Sequence, residues 1–219
     1  MAFGYPVFLE LGGRRALVIG ESAVREGKVE GLVAAGASAV VVVACGPAAR
    51  LAMLESGGAR VRVERRAWRP SDLDGMFVCV ASSADPQDRD AIAREARAHG
   101  VLVNVMDDVP NCDWAAPSIV RRGDLAIAIS TGGASPALAK KLREELSEAF
   151  GDEWSEVLAV LRRVREDTLP RLPDVRDRAS RWAAALDTAE AAELVREGRA
   201  AELRDRLRAR LLHAWEVRP

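Results

Sequence analysis

Histidine is nearly missing from this chain: His99 and His213 are the only two among 219 residues. That leaves too few imidazoles for a histidine-rich metal site. Cysteine is scarce as well. Cys45, Cys79 and Cys112 lie far apart and no Cys-x-x-Cys pair occurs, so neither a disulfide scaffold nor a structural zinc site is expected, and no metal-binding residue is assigned. An excess of charge of either sign is also lacking. Lys and Arg total 32 against 33 Asp and Glu, a net charge of -1, which gives no electrostatic footprint for nucleic acid or an anionic membrane. No apolar run approaches transmembrane length. The opening MAFGYPVFLELGG has no basic region leading into a long apolar core, so it does not read as a signal peptide and a cytoplasmic protein is expected. Internal repeats and low-complexity linkers are missing too.

What is present is a composition of 49% hydrophobic and 30% charged residues, that of a soluble globular protein of one or two domains. RALVIG (15–20) reads as a buried strand followed by a helix from about Ala23 to Ala35 and a turn at Gly36. ASAVVVVA (37–44) is continuously apolar after Ser38, as in a parallel strand covered on both faces. Pro47 suits the start of a short helix ended by Gly57-Gly58. ARVRVER (59–65), GMFVCVA (75–81), a helix over 87–99 and GVLVNV (100–105) continue the alternation. The pattern predicts an α/β fold with an open, mostly parallel sheet and helices on both sides. After Val105 the rhythm changes. PSIVRRGDLAIAIS (117–130) holds two strand-like runs around Arg122-Gly123-Asp124, a hairpin pattern. TGGASP then leads into a helix from about Ser135 with Pro136 at its first position. From Asp152 onward helix formers dominate, interrupted by Pro170, Pro173 and Gly198. Trp154, Val157, Leu158, Leu161 and Val164 fall on neighbouring rows of one helical face.

Three clusters carry chemistry. The first is ALVIGESAVREGK (16–28), placed where a dinucleotide-binding sheet has its glycine-rich turn. Gly20 suits the tight turn, but Ser22 and Arg25 stand where further small residues are usual. Ser22 can offer a hydroxyl and Arg25 a positive charge to a phosphate, whereas Glu21 would repel one. No acid ends the second strand to bind a ribose, and a plain strand-turn-helix reads the same residues equally well. The second cluster is VNVMDDVPNCDW (103–114), at the carboxyl end of a predicted strand. Asp107, Asp108 and Asp113 gather there beside Asn104, suited to taking a proton, accepting a pyrrole N–H or guiding a divalent ion, or merely to capping turns. The third is STGGASPALAKKLREEL. Gly132 and Gly133 permit a sharp turn. Ser130, Thr131 and Ser135 add hydroxyls, and Lys140, Lys141 and Arg143 add positive charge. This is a seat for a carboxylate-bearing substrate that is equally compatible with an ordinary Ser135 cap.

The succession YPVFLEL, strand, phosphate loop, ADPQDRDAIAREA, GVLVNVMDD and CDWAAPSIVRRGDLAIAISTGGASPALAKKLREEL resembles the precorrin-2 dehydrogenase family, the dehydrogenase/ferrochelatase enzymes of siroheme synthesis. The resemblance runs from about Tyr5 to the helices near Arg165. It implies a Rossmann-like NAD-binding domain over 1–112, a small α+β dimerisation and substrate domain over 113–148, and a helical domain over 149–219, assembled as a homodimer. It implies oxidation of precorrin-2 to sirohydrochlorin with NAD, and in some members insertion of iron, where Fe2+ is a substrate and not a resident metal. Asp107 matches the family's key aspartate, assigned to proton handling and chelation. Asn104, Asp108, Ser130, Thr131, Gly132, Gly133, Ser135 and Lys140 fall on the tetrapyrrole side, with Thr131 matching a serine that is phosphorylated in some relatives. Gly20, Glu21, Ser22, Ala23, Val24, Ser82, Ser83 and Val105 fall on the NAD side. Departures concentrate on the latter. The family's GGG reads Gly20-Glu21-Ser22 here, and its A-T-D-D-P-x-L-N reads Ala81 to Arg89 with Ala84 for the first Asp and Arg89 at the Asn. Two other readings therefore stand beside the dehydrogenase: a sirohydrochlorin chelatase with a vestigial nucleotide site, and a noncatalytic tetrapyrrole-binding protein.

Overall fold

In the computed structural model, which describes residues 5–21, 23, 27–44 and 60–213, the apolar runs of the first half form one sheet. Its strands are β1 (Arg15–Ile19), β2 (Ala39–Val43), β3 (Val61–Glu64), β4 (Val78–Ala81) and β5 (Leu102–Val105), in the order β3-β2-β1-β4-β5. All four pairings are parallel. Strands buried on both faces need apolar residues at every position. Val18, Val40, Val42, Val78 and Val80 pack on one face, and Leu17, Val43, Cys79, Val103 and Val105 on the other. Each fully buried aliphatic side chain contributes about 1.5–3 kcal/mol relative to exposure. Burial also pushes the Cys79 thiol up to about 12, so it serves as a small apolar side chain. β3 is an edge strand, and its polar sequence VRVE matches its partial exposure.

Helix α1 (Lys28–Ala34) closes the first face with Val29 and Leu32. Ala23 is already helical, as the sequence suggests, but Gly27 is left-handed at φ 72°, so Lys28 opens a separate helix within the span expected as one. Helix α2 (Pro86–Ala98) closes the second face with Ile92, Ala93 and Ala96. It begins with Pro86 at its first position, and the Asp85 carboxylate accepts from the Gln87 amide at 2.9 Å, as capping requires. Ser22, Val24, Arg25, Cys45 and the short helix expected between Pro47 and Gly58 lie outside the described residues.

Asp72 braces the crossing from β3 to β4, accepting two hydrogen bonds from Arg66 at 2.6 and 2.8 Å. The Arg66 guanidinium holds this carboxyl below the usual aspartate range. A depressed carboxyl stabilises the fold above its unfolded pKa, and that contribution vanishes as pH falls through the folded value. Thermal scans should therefore show the midpoint dropping below about pH 4, with Asp72→Asn lowering it at neutral pH and flattening that acid limb. An acid limb unchanged in the variant would contradict this.

The chain separates into two compact units, Met1–Ala116 and Pro117–Pro219. In the second, β6 (Ser118–Arg122) and β7 (Leu125–Ile129) form the antiparallel hairpin around Gly123-Asp124, followed by α3 (Pro136–Ala149). Helices α4 (Glu153–Thr168), α5 (Val175–Ala185), α6 (Thr188–Arg196) and α7 (Ala200–Leu212) then make a bundle. Its core takes Val157, Val160 and Val164 from α4 and Leu203, Leu207 and Leu211 from α7, each set at helical spacing. The arginines and glutamates of the bundle pair on its surface, as where Arg206 and Arg210 share Glu190. Among the described residues no helix is long and apolar enough to cross a membrane.

Candidate functional site

Strand register brings the first two sequence clusters to one edge. Ile19 pairs with Val43 and with Ala81, and Ala81 pairs with Val105, so these four residues form a row across the carboxyl ends of β2, β1, β4 and β5. The chain leaves that row at Ala44, Gly20, Ser82 and Met106. Strand order reverses at β1, and the crevice outside the carboxyl ends at such a reversal is where open α/β sheets bind ligands.

At the crevice floor Gly20 adopts φ 90°, a conformation that side chains strongly disfavour, and a Cβ there would lie 2.1 Å from the Ser82 carbonyl oxygen. Its amide donates to Val43 O at 2.9 Å. Ser82 fastens the turn from the other side: its amide donates to Ile19 O at 2.8 Å, and its Oγ accepts from the buried Ala23 amide at 3.1 Å. Ser83 Oγ accepts from the Asp85 amide at 3.2 Å. Val105 is buried, and its carbonyl accepts from Cys112 Sγ at 3.0 Å.

A cavity of about 530 Å³ opens at this edge, lined by Ile19, Gly20, Glu21, Val43, Ala44, Arg66, Ala67, Trp68 and Asp88. Trp68 Nε1 donates to Asp88 Oδ1 at 2.6 Å. Trp68 and Asp88, paired across twenty residues, leave no local signal in the sequence, and Arg66 is not singled out there either. The tight turn, its place at the strand-order reversal and the cavity fit a dinucleotide. Two features would disfavour a phosphate group at this turn: the Ala23 amide is spent on Ser82, and the exposed Glu21 brings negative charge to the lining. Glu21→Gln should therefore tighten NAD binding about two- to fivefold by calorimetry, more at low ionic strength than high. Equal affinities would show that Glu21 does not face the phosphates.

Two strands from β1, roughly 10 Å along the edge, the β5 loop presents Asp107. It is the one non-glycine residue with positive φ among those described, at 60°. Its side chain is exposed and takes no hydrogen bond or ion pair from the described residues. Backbone held in that region is a marker of functional loops. The neighbouring polar groups are all committed within the protein. Asp108 accepts from Arg89 Nε at 2.8 Å and from Asn111 Nδ2 at 3.1 Å, and the Arg89 guanidinium holds its carboxyl below the usual range. Asn104 Nδ2 donates to Trp114 O at 2.8 Å. Asp113 pairs with Arg97 at 2.9 Å and accepts from the Val103 amide at 3.2 Å. Asp107 is left as the available carboxylate of the cluster.

The third cluster lies in the second unit. Ser130 Oγ accepts from the Gly132 amide at 3.2 Å, Thr131 Oγ1 from the Ser135 amide at 3.3 Å, and Ser135 Oγ from the Leu138 amide at 3.1 Å. Gly132 and Gly133 have φ of 61° and 83°. Lys140 is exposed and lies 4.0 Å from Glu144. The hydroxyls thus shape the turn and cap α3. Among the described residues no group of three or more His, Cys, Asp or Glu side chains is placed to hold a metal ion.

Comparison with known proteins adds three findings. Residues 7–118 match a family model described as putative NAD(P)-binding, and residues 122–149 match one described as sirohaem biosynthesis protein central. The chain is 32% identical over 195 residues to a siroheme synthase of Methylococcus capsulatus, and 34% identical over 183 residues to one of Chromobacterium violaceum. Those alignments cover 89% and 84% of this chain but only 40% and 38% of the relatives' own lengths. The solved structure of SirC, a precorrin-2 dehydrogenase, superimposes with a TM-score of 0.63 at 25% identity, covering 93% of this chain and 98% of that one.

Proposed function

The chain belongs to the siroheme synthase/precorrin-2 dehydrogenase–ferrochelatase family, and on that premise we propose that it oxidises precorrin-2 to sirohydrochlorin with NAD as hydride acceptor. The observation that carries the reading is Asp107, a carboxylate with no partner among the described residues, on left-handed backbone and on the same sheet edge as the Gly20 crevice. Gly20, Glu21, Ala23, Ser82, Ser83 and the Val105 end of β5 would hold the dinucleotide, with Trp68 and Arg66 on the cavity wall. Held there, NAD would supply the acceptor for the hydride leaving a reduced carbon of the macrocycle. Asp107 accepts the accompanying proton, and as an exposed group it passes that proton to solvent. The hydroxyl turn 130–135 and Lys140 are the proposed seat for the substrate's carboxylates. Residues 113–148 are the proposed dimerisation and substrate segment of a homodimer, and 149–219 its helical domain. Ile119 and Leu138, large apolar side chains left exposed in the middle segment, support that role.

A second reading is favoured by Glu21 and the spent Ala23 amide: a sirohydrochlorin chelatase, with ferrous iron as substrate, whose Asp107 takes the pyrrole protons that the entering metal displaces. Anaerobic incubation with precorrin-2, with and without NAD, followed spectroscopically and then given ferrous ion, separates the two. Conversion that needs NAD supports the dehydrogenase. Metal insertion into added sirohydrochlorin with no NAD-dependent step supports the chelatase alone, and tight tetrapyrrole binding with no turnover points to a carrier.

A further inference from the structure

Arg89 joins two loops that serve different halves of the site. Its Nη1 donates to the carbonyls of Ser83 and Ala84, at 3.0 and 3.3 Å, in the loop after β4. Its Nε donates to Asp108, the residue after Asp107, in the loop after β5. The β5 loop is further held by Asn111 Nδ2, which donates to Asp108 Oδ2 and to Asp90 Oδ1 at 2.7 Å, and by the Asp108 amide donating to Val105 O at 3.2 Å. A strained backbone persists only where its surroundings over-determine it, and these bonds surround the one left-handed non-glycine residue described. A lysine at 89 could neutralise Asp108, but it lacks the planar fork that reaches the carbonyls and the carboxylate together.

We propose that Arg89 is a positioning residue: its bridge from the Ser83 and Ala84 carbonyls to Asp108 holds Asp107 in its left-handed conformation, registered to the crevice beside β4. The functional half of this statement rests on the proton-handling reading of Asp107, while its structural half does not. The charge at position 89 is then a strut and not damage to a nucleotide pocket.

A thermal cycle reads the structural half. Asp107→Gly removes the left-handed penalty and should raise the melting midpoint of the full chain by about 2–4 °C. In an Arg89→Gln background the loop relaxes, and the same substitution should give no gain or a loss. Asp108→Asn, which keeps shape but removes charge, serves in the same cycle if Arg89→Gln folds poorly. In turnover, Arg89→Gln should lower kcat about tenfold or more while KM for NAD stays within about twofold, because an effect through Asp107 falls on the chemical step; Arg89→Lys should recover part of the loss. An Asp107→Gly gain of equal size in both backgrounds, or an Arg89→Gln kcat equal to wild type, overturns the proposal. A wild-type protein that makes no NADH, with the thermal cycle as expected, would remove the dehydrogenase reading and leave the strut standing.

Discussion

Asp107→Asn should lower kcat for precorrin-2 oxidation by about 10²- to 10⁴-fold, the range lost when a general base is removed, with little change in melting midpoint. Asparagine is the informative replacement because, like aspartate, it tolerates left-handed backbone. The φ of 60° at this position is thereby kept while the proton acceptor is removed. Since the side chain has no hydrogen-bond or ion-pair partner among the described residues, none of those bonds is lost with it. Affinity for NAD should also hold within about twofold, because none of the cavity-lining residues is changed. Full activity in a folded Asp107→Asn protein would remove this residue from the chemistry.

Gly20→Ala should have the largest effect on folding. Left-handed backbone alone costs a residue with a Cβ about 1–2 kcal/mol. Here the added atom would also meet the Ser82 carbonyl oxygen at 2.1 Å and its carbonyl carbon at 3.1 Å, both main-chain atoms that cannot rotate aside. Overpacking of that kind adds about 1–3 kcal/mol, so the midpoint should fall by roughly 5–15 °C and NAD binding should be lost. Gly13 supplies the control. Its φ is 73°, but a Cβ there meets nothing within 4 Å, so Gly13→Ala should show the conformational cost alone. Equal losses at the two positions would mean that the close approach of the β1 and β4 turns contributes nothing.

The sheet could be read from the sequence because its strands are buried on both faces, and such strands are continuous apolar runs. RALVI, AVVVV, VCVA and LVNV each became a strand within a few residues of the expected bounds. Helix α2, expected over 87–99, runs from Pro86 to Ala98, and the hairpin turned at Gly123-Asp124. The site was legible as clusters, not as geometry. Gly20 and Asp107 announce themselves by residue type at strand ends. That Asp108 is bound to Arg89, Asn104 to Trp114 and Trp68 to Asp88 depends on which helix lies beside which loop. Residue spacing carries no trace of those pairings. Arg89 shows the consequence most clearly, since its sequence position suggested a spoiled cofactor motif and its contacts show a bridge between two loops. The left-handed backbone of Asp107 was equally hidden, because nothing in NVMDD distinguishes it from an ordinary turn.

The central claim, NAD-dependent oxidation of precorrin-2, is tested most directly by stoichiometry. Wild-type protein, precorrin-2 and NAD are mixed without oxygen, and NADH and sirohydrochlorin are measured together over time. The account predicts one NADH for each sirohydrochlorin, with neither formed when NAD or the protein is left out. Sirohydrochlorin appearing at the same rate without NAD, or no NADH from folded protein given authentic precorrin-2, would contradict it.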